Sequence, residues 1–317
     1  MYKEARLRII DGKNGGTVRV INLCMLRGVY NFYRVNKPLF QAAAFHPQRA
    51  TEFLFSDIDT HIYRVDVGRQ EPPVSIIKSP RTGGLQVSPD GKSHAVVRHV
   101  AASKVFEVVV LEYQSLRVLP RFRTRDNGCL MPYGVFSSDS SLFAFPDDEL
   151  THLCRIGTKQ QWSVRKFLDE PFWGYGSLAF SPDNRCIPGY NTDGEVIFWD
   201  VETGNLASRM ALANCPGHLV AYLEVQSQRL LLLESGYDIF CFDAKSLKRI
   251  WKLPRNDPDT IYLDEVELHS RLYRAADMKS AVSATWDVKN NTETFQPFDI
   301  LTGKPTGRPI IMPHPSK

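Results

Sequence analysis

The sequence predicts an all-β chain made of repeated four-stranded antiparallel units, and three observations predict it. A strand pattern closing on an acidic residue recurs at Arg8-Ile9-Ile10-Asp11, Tyr63-Arg64-Val65-Asp66, Val109-Val110-Leu111-Glu112, Ile197-Phe198-Trp199-Asp200, Phe240-Cys241-Phe242-Asp243 and Ala284-Thr285-Trp286-Asp287. Leu153-Cys154-Arg155-Ile156 holds the place of one missing acid. Counted along positions 11, 66, 112, 156, 200, 243 and 287, the steps are 55, 46, 44, 44, 43 and 44 residues. All but the first lie near the roughly 40–45 residues that one four-stranded repeat needs. A second marker keeps the same phase, about 20 residues ahead of each strand end: Ala44-Phe45-His46-Pro47, Gln86-Val87-Ser88-Pro89-Asp90-Gly91, Val135-Phe136-Ser137-Ser138-Asp139 and Ala179-Phe180-Ser181-Pro182-Asp183-Asn184. Pro presets φ for a turn and Asp-Gly or Asp-Asn tolerates left-handed backbone, so each segment ends one strand and reverses the chain into the next. Third, the apolar runs are short, as in Glu52-Phe53-Leu54-Phe55, Ala95-Val96-Val97, Leu142-Phe143-Ala144-Phe145 and Leu230-Leu231-Leu232-Leu233, and polar or turn residues bound them. That length favours buried strands, and no amphipathic helix of ten or more residues is legible.

Taken in order, residues 1–36 carry strand-like Arg6 to Ile10 and Thr17 to Leu23 around Gly12-Lys13-Asn14-Gly15-Gly16. That Gly-rich run lies between two strands and precedes no helix, so it reads as a hairpin turn and not a phosphate cradle. Six complete units follow over 37–302, beginning near Lys37, Thr82, Pro132, Gly174, Pro216 and Thr260. Each runs through a first strand, the Ser-Pro-Asp type of turn, an apolar second strand, a third strand with its acid, and a more polar fourth strand. Leu206 to Leu212 and Leu247 to Leu253 are examples of the fourth. The turn markers degenerate to Leu223-Glu224-Val225-Gln226-Ser227 and Val266-Glu267-Leu268-His269-Ser270 in the last two units. Residues 303–317 could supply a closing strand, Arg308-Pro309-Ile310-Ile311-Met312, or a tail.

The segment Gly176-Ser177-Leu178-Ala179-Phe180-Ser181-Pro182-Asp183 through Asp193-Gly194-Glu195-Val196-Ile197-Phe198-Trp199-Asp200, with Thr203-Gly204 behind it, resembles a WD40 repeat, the best unit spanning 176–212. The resemblance extends over nearly the whole chain in spacing. It implies a single β-propeller domain over 1–317, with seven blades, six complete and one assembled from the two termini to close the ring; with six blades alone, residues 1–36 would be an accessory arm. It also implies structural roles for Asp59, Asp66, Asp193, Trp199, Asp200, Asp243, Trp286 and Asp287. The departures are plain: a Gly-His pair ahead of a unit occurs only at Gly217-His218, and the turn Asp occurs at Asp59 and Asp193 but is mostly missing elsewhere.

Composition bounds the function. The chain has 317 residues, 43% of them hydrophobic and 23% charged, enough to bury a large core. With 39 Lys and Arg against 35 Asp and Glu, the charge of +4 is too mild to demand a nucleic-acid or membrane partner. The six cysteines form no Cys-x-x-Cys pair, and the eight histidines never fall at i, i+2 or i, i+4, so neither a zinc nor another local metal site is supported. No apolar run is long enough for a signal peptide or a membrane span. The expectation is a cytoplasmic protein, with nuclear, cytoskeletal or ciliary assemblies as alternatives. No Gly-x-Ser-x-Gly, His-Glu-x-x-His or P-loop pattern occurs, so the chain is read as a non-enzyme with no cofactor. The carboxylates Asp147-Asp148-Glu149 read as a solvated turn, although a propeller hydrolase or lactonase could gather such groups around a cation in a central channel.

The remaining candidates are partner-binding residues. In a propeller, the connections from second to third strand and from the fourth strand to the next blade share one face. On that face the resemblance places Asp57-Ile58-Asp59, Arg98-His99-Val100, Asp147-Asp148, Asn191-Thr192-Asp193, Ser235-Gly236-Tyr237 and Asp277-Met278-Lys279. Phe172-Trp173-Gly174-Tyr175 puts three aromatics in one connection, and Arg117, Arg121, Arg123 and Arg125 alternate along an outer strand. Arg121, Arg123, Arg125, Phe172, Trp173, Tyr175, Tyr237 and Arg255 are therefore the expected partner-binding set. Other proteins, in a multi-subunit complex, are the expected partners. Nucleic acid is not expected, since aromatics and arginines are not interleaved, and phosphoinositide contact is only faintly suggested by Arg121 to Arg125.

Overall fold

The computed structural model describes residues 6–10, 17–22, 40–49, 51–57, 61–69, 71, 73–78, 82–100, 105–125, 134–146, 150–158, 160–165, 178–190, 195–211, 218–235, 238–254, 272–274, 279–287 and 292–313. The chain divides into two compact units, Met1–Lys166 and Phe167–Lys317. Every described regular element is a β-strand, and every pairing is antiparallel.

In the first unit, β1 (Arg6–Ile10) pairs with β2 (Thr17–Asn22) as an isolated hairpin. Three four-stranded meanders follow. The first is β3 (Phe40–Phe45), β4 (Glu52–Asp57), β5 (His61–Asp66) and β6 (Val74–Lys78). The second is β7 (Thr82–Val87), β8 (Ser93–Val100), β9 (Val105–Glu112) and β10 (Val118–Arg125). The third is β11 (Val135–Phe136), β12 (Leu142–Pro146), β13 (Leu150–Arg155) and β14 (Gln161–Arg165). The second unit holds a three-stranded fourth sheet, β15 (Cys186–Tyr190), β16 (Glu195–Asp200) and β17 (Leu206–Ala211). The fifth sheet is β18 (His218–Val225), β19 (Gln228–Ser235), β20 (Asp238–Asp243) and β21 (Arg249–Pro254). The sixth is β22 (Leu272–Arg274), β23 (Ser280–Asp287), β24 (Thr292–Asp299) and β25 (Ile310–Pro313).

The inner strands are apolar on both faces because each face meets a different sheet. On β9, Val108 and Val110 pack with Phe136, Phe143, Phe145 and Cys154 of the third sheet. Val109, Leu111 and the following Tyr113 pack with Leu54 and Ile62 of the first. The same division recurs on β19, where Leu231 and Leu233 meet Val196 and Phe198, while Leu230 and Leu232 lie with Ala281 and Phe298. A strand alternates its side chains between faces, so four consecutive leucines with no exposure report covering on both sides. Each such side chain contributes about 1.5–3 kcal/mol by burial, which makes these seams the main source of cohesion within each unit.

One backbone contact fixes the repeat. The residue after each third strand donates its N–H to a carbonyl at the start of the second strand: Val67 to Thr51, Tyr113 to Lys92, Ile156 to Ser141, Val201 to Arg185, Ala244 to Arg229 and Ile300 to Lys279. These distances all fall between 2.7 and 2.9 Å. The contact identifies Asp299 as the terminal acid of the last third strand and corrects the expectation for Asp287. Asp287 ends β23, the second strand of its sheet, where it pairs with Thr292. A step of 44 residues from Asp243 lands on Asp287, but this sheet takes 56, and the polar, Pro-containing β24 (Thr-Glu-Thr-Phe-Gln-Pro-Phe-Asp) gives no apolar signal. The same shift moves Lys279 from the expected second-to-third connection to the first-to-second turn.

The C-terminal strand also differs from expectation. Ile310–Pro313 pairs with β24 as the fourth strand of the sixth sheet, and the N-terminal strands pair with each other, so the described pairings do not join the two termini in one sheet. Arg98-His99-Val100 is strand and not loop, because β8 runs on to Val100.

Candidate functional site

Each sheet has two ends, and the structure describes mainly one of them, where first strand turns into second and third into fourth. The second-to-third connections 58–60, 101–104, 147–149, 191–194, 236–237 and 288–291 lie outside the described residues. So do the intersheet segments 79–81, 126–133, 166–177, 212–217 and 255–271. Asp59, Asp193, Phe172, Trp173, Tyr175, Tyr237 and Arg255 are among them.

At the described end the carboxylates hold turns. In the first-to-second turns, Ser88, Ser137 and Ser181 each donate from Oγ to the carboxylate two residues on, Asp90 (2.7 Å), Asp139 (2.6 Å) and Asp183 (2.6 Å). The same oxygens accept the N–H of Ser93, Leu142 and Cys186, at 2.9 Å in each case. Burial raises the cost of ionising these three aspartates, yet the serine hydroxyls and nearby N–H groups outweigh it, and all three sit below the usual carboxylate range. His46 replaces the serine in the first sheet: its Nδ1 accepts from Gln48 N–H at 3.2 Å, and its Nε2 lies 3.1 Å from Gly91 O.

In the third-to-fourth turns, Asp200 Oδ1 accepts from Thr203 N–H (2.7 Å) and Oγ1–H (2.8 Å). Asp243 does the same with Ser246 (2.7 and 2.7 Å), and Asp299 with Thr302 (2.8 and 2.8 Å). Those bonds lower the Asp200 and Asp243 carboxyls, and the Thr51 hydroxyl, with Gly68 N–H, lowers Asp66. Trp199 is buried over Gly189 on the neighbouring strand, where a Cβ would lie 2.3 Å from its ring. Trp286 lies on β23; its side chain and that of Asp287 are outside the described residues.

Of the arginine series, Arg121, Arg123 and Arg125 fall on an outer strand, whereas Arg117 precedes it and lies 3.6 Å from a Glu112 carboxylate oxygen. β10 is the edge of the second sheet, but Pro120 and a register shift between Val118 and Arg121 break its regular pairing. Arg121 and Arg125 stand opposite Val109 and Val105 in register. Arg123 stands opposite Glu107, a fully buried carboxylate, and its Nε donates to Glu107 Oε1 at 3.0 Å while two-thirds of its side chain stays exposed. At least one guanidinium of the predicted set is therefore committed to neutralising a buried acid. The lone acid inside Val105-Phe106-Glu107-Val108-Val109 was the signal for this pair.

Two further groups escaped the sequence reading. Arg19 on β2 donates from Nη1 to the carbonyls of Asp66 (2.7 Å) and Arg69 (2.6 Å), and from Nη2 to Glu71 O (2.6 Å), tying the N-terminal hairpin to the β5–β6 turn. His94, in the seam between first and second sheets, is fully buried with neither ring nitrogen hydrogen-bonded. It lies edge-on to Tyr113 at 5.8 Å, and His46 lies edge-on to the same ring at 4.7 Å. Burial, with a smaller contribution from Arg64, pushes His94 down to about 4. Burial likewise pushes the Cys154 and Cys241 thiols up to about 12, which leaves them poor nucleophiles.

No sequence-family model and no curated protein sequence matches the chain. Solved structures do. The crystal structure of the Cps50 (Swd1) β-propeller domain of Myceliophteria thermophila superposes with a TM-score of 0.61 at 12% identity, covering 89% of this chain and 88% of that one. The structure of dihydro-heme d1 dehydrogenase NirN in complex with DHE gives a TM-score of 0.58 at 14% identity, covering 99% of this chain and 72% of that one. The fold is a β-propeller, built from antiparallel meanders. At these identities the likeness speaks for the fold alone.

Proposed function

We propose that the chain is a noncatalytic scaffold for protein–protein interaction, a WD40-like propeller that serves as a subunit of a larger complex. The six meanders are its blades in one domain spanning the chain, and the β1–β2 hairpin is an N-terminal arm latched by Arg19. The observation that carries the reading is where the chemistry has gone. The turn carboxylates accept from their own turns, Glu107 is paired with Arg123, and the Cys154 and Cys241 thiols are buried. A rigid repeat that invests its polar groups in its own turns presents preformed surfaces, and binding to them costs little ordering. Phe172, Trp173, Tyr175, Tyr237 and Arg255, with exposed Arg123 and the adjacent Arg121 and Arg125, are the proposed partner contacts; the cytoplasm is the proposed location.

An enzyme reading draws on one fact, that NirN, a dehydrogenase by name, shares the fold. Affinity purification of the full chain from its native source separates the two. The scaffold reading expects other proteins in fixed ratio, and Trp173→Ala with Tyr175→Ala expects their loss without a large drop in melting temperature. A chain that purifies alone and turns over a substrate contradicts it.

A further inference from the structure

The fifth sheet ends in a strand unlike the other outer strands. Lys245, Lys248, Arg249 and Lys252 are all exposed and fall within eight residues of sequence, and the exposed Lys304 follows a glycine that lies against a side chain of the same strand. The link is Trp251, whose Nε1 donates to Ile300 O at 2.9 Å and whose ring sits against Gly303, beside Lys304. Among the described residues, Lys248, Arg249 and Lys304 have no carboxylate within ion-pair distance. The acid of this segment, Asp243, already accepts two bonds from Ser246.

The strand is also an open edge. β21 pairs with β20, and among the described residues no strand covers its other side. Unpaired N–H and C=O groups along such an edge match one kind of ligand, an extended polypeptide. The register sorts the faces. Arg249 and Lys252 stand opposite Phe242 and Phe240 on one face, whereas Ile250, 43% exposed, adds an apolar contact. β10 is basic too, but Pro120 interrupts its edge and Arg123 is bound to Glu107, so β21 is the better template.

We infer that β21 is a docking edge for an acidic, extended peptide segment, which adds as a further strand with its carboxylates beside Arg249, Lys252 and Lys248. This rests on the scaffold reading and supplies the chemistry of one partner. Nucleic acid fits less well, because Trp251 is spent on Phe298 and Ile300 and the Phe240 ring already lies 5.5 Å below Lys252 Nζ, so neither ring offers a free stacking face.

The test uses the full chain and a fluorescein-labelled peptide of alternating Glu and Val, a control with Gln for Glu, and labelled single-stranded DNA. Anisotropy should show the Glu peptide binding at low salt, at least about tenfold tighter than the Gln control or the DNA. Lys248→Glu with Lys252→Glu should weaken it at least about tenfold, and Lys248→Gln with Lys252→Gln should weaken it less, circular dichroism confirming that both fold. Hydrogen exchange should slow at the β21 amides that do not pair with β20. DNA binding as tight as the peptide, peptide binding indifferent to these variants, or β21 amides unchanged on binding would each overturn the inference and leave the lysines as guards against edge aggregation. Failure of the scaffold reading is a separate result, the absence of co-purifying protein.

Discussion

Acidification should weaken the first unit through His94, and the size of the effect follows from its burial. In the unfolded chain the imidazole titrates at its ordinary 6.5; in the folded chain it resists protonation until about 4. Between those values the unfolded state binds the extra proton, so stability is complete above pH 6.5 and falls as pH drops toward 4. The full gap corresponds to about 3 kcal/mol, and about 2 kcal/mol of it should be gone by pH 5. The turn aspartates do not blur this window: their folded values are lowered, so their contribution is present above the unfolded 3.8 and is lost only below it. His46, also lowered by burial, shares the window, and so the perturbation must isolate His94. His94→Leu removes two buried nitrogens without partners and should leave stability at pH 7.5 unchanged or raised by about 1 kcal/mol. Urea titrations of both proteins at pH 7.5 and 5 give the comparison. The wild type should lose about 2 kcal/mol more than the variant over that interval. Parallel losses, within about 0.5 kcal/mol, would show that His94 finds a proton-accepting partner or water and refute the reasoning.

Three other perturbations probe the repeat and its arm. Ser137→Ala removes the bonds to Asp139 and Leu142 N–H, and should cost about 1–3 kcal/mol in urea titration. Arg19→Ala should speed amide exchange across β1 and β2 while β4 and β5 stay protected, since its three carbonyl contacts join the hairpin to the β5–β6 turn. Gly303→Ala and Gly157→Ala form a matched pair: both glycines have positive φ, but a Cβ at Gly303 meets the Trp251 ring at 2.7 Å, whereas at Gly157 nothing lies within 4 Å. Gly157→Ala should therefore cost about 1 kcal/mol and Gly303→Ala distinctly more, measured as the shift in melting temperature.

The repeat was legible because two chemically different turns marked it. Ser-x-Asp at the first turn and Asp-x-x-Ser/Thr at the third are short-range hydrogen-bonded devices, so their spacing survives in sequence even where the strands between them drift. Phase failed at Asp287 because the sixth sheet is longer than the rest and its third strand is polar, and a counted period carries no information about an insertion. The structural aspartates Asp66, Asp200 and Asp243 were visible for the same local reason. Arg19 and His94 were not, and the Glu107–Arg123 pair left only the trace of a lone acid in an apolar strand. Arg19 meets carbonyls 47 to 52 residues away in the first sheet, His94 meets Tyr113 beyond the next strand of its own sheet, and Arg123 meets Glu107 on the adjoining strand, so only the folded sheets bring them together. Lys248, Arg249 and Lys252 read in sequence as an ordinary polar fourth strand, and it is the open edge, with Lys248 and Arg249 lacking ion pairs among the described residues, that sets them apart.

Native mass spectrometry of the protein as isolated from its source tests the scaffold account most directly, because one spectrum reports both bound polypeptides and bound small groups. The account predicts a mass equal to this chain plus one or more other polypeptides in whole-number ratio. A mass equal to the chain with a metal ion or organic cofactor, and no second polypeptide, would contradict it.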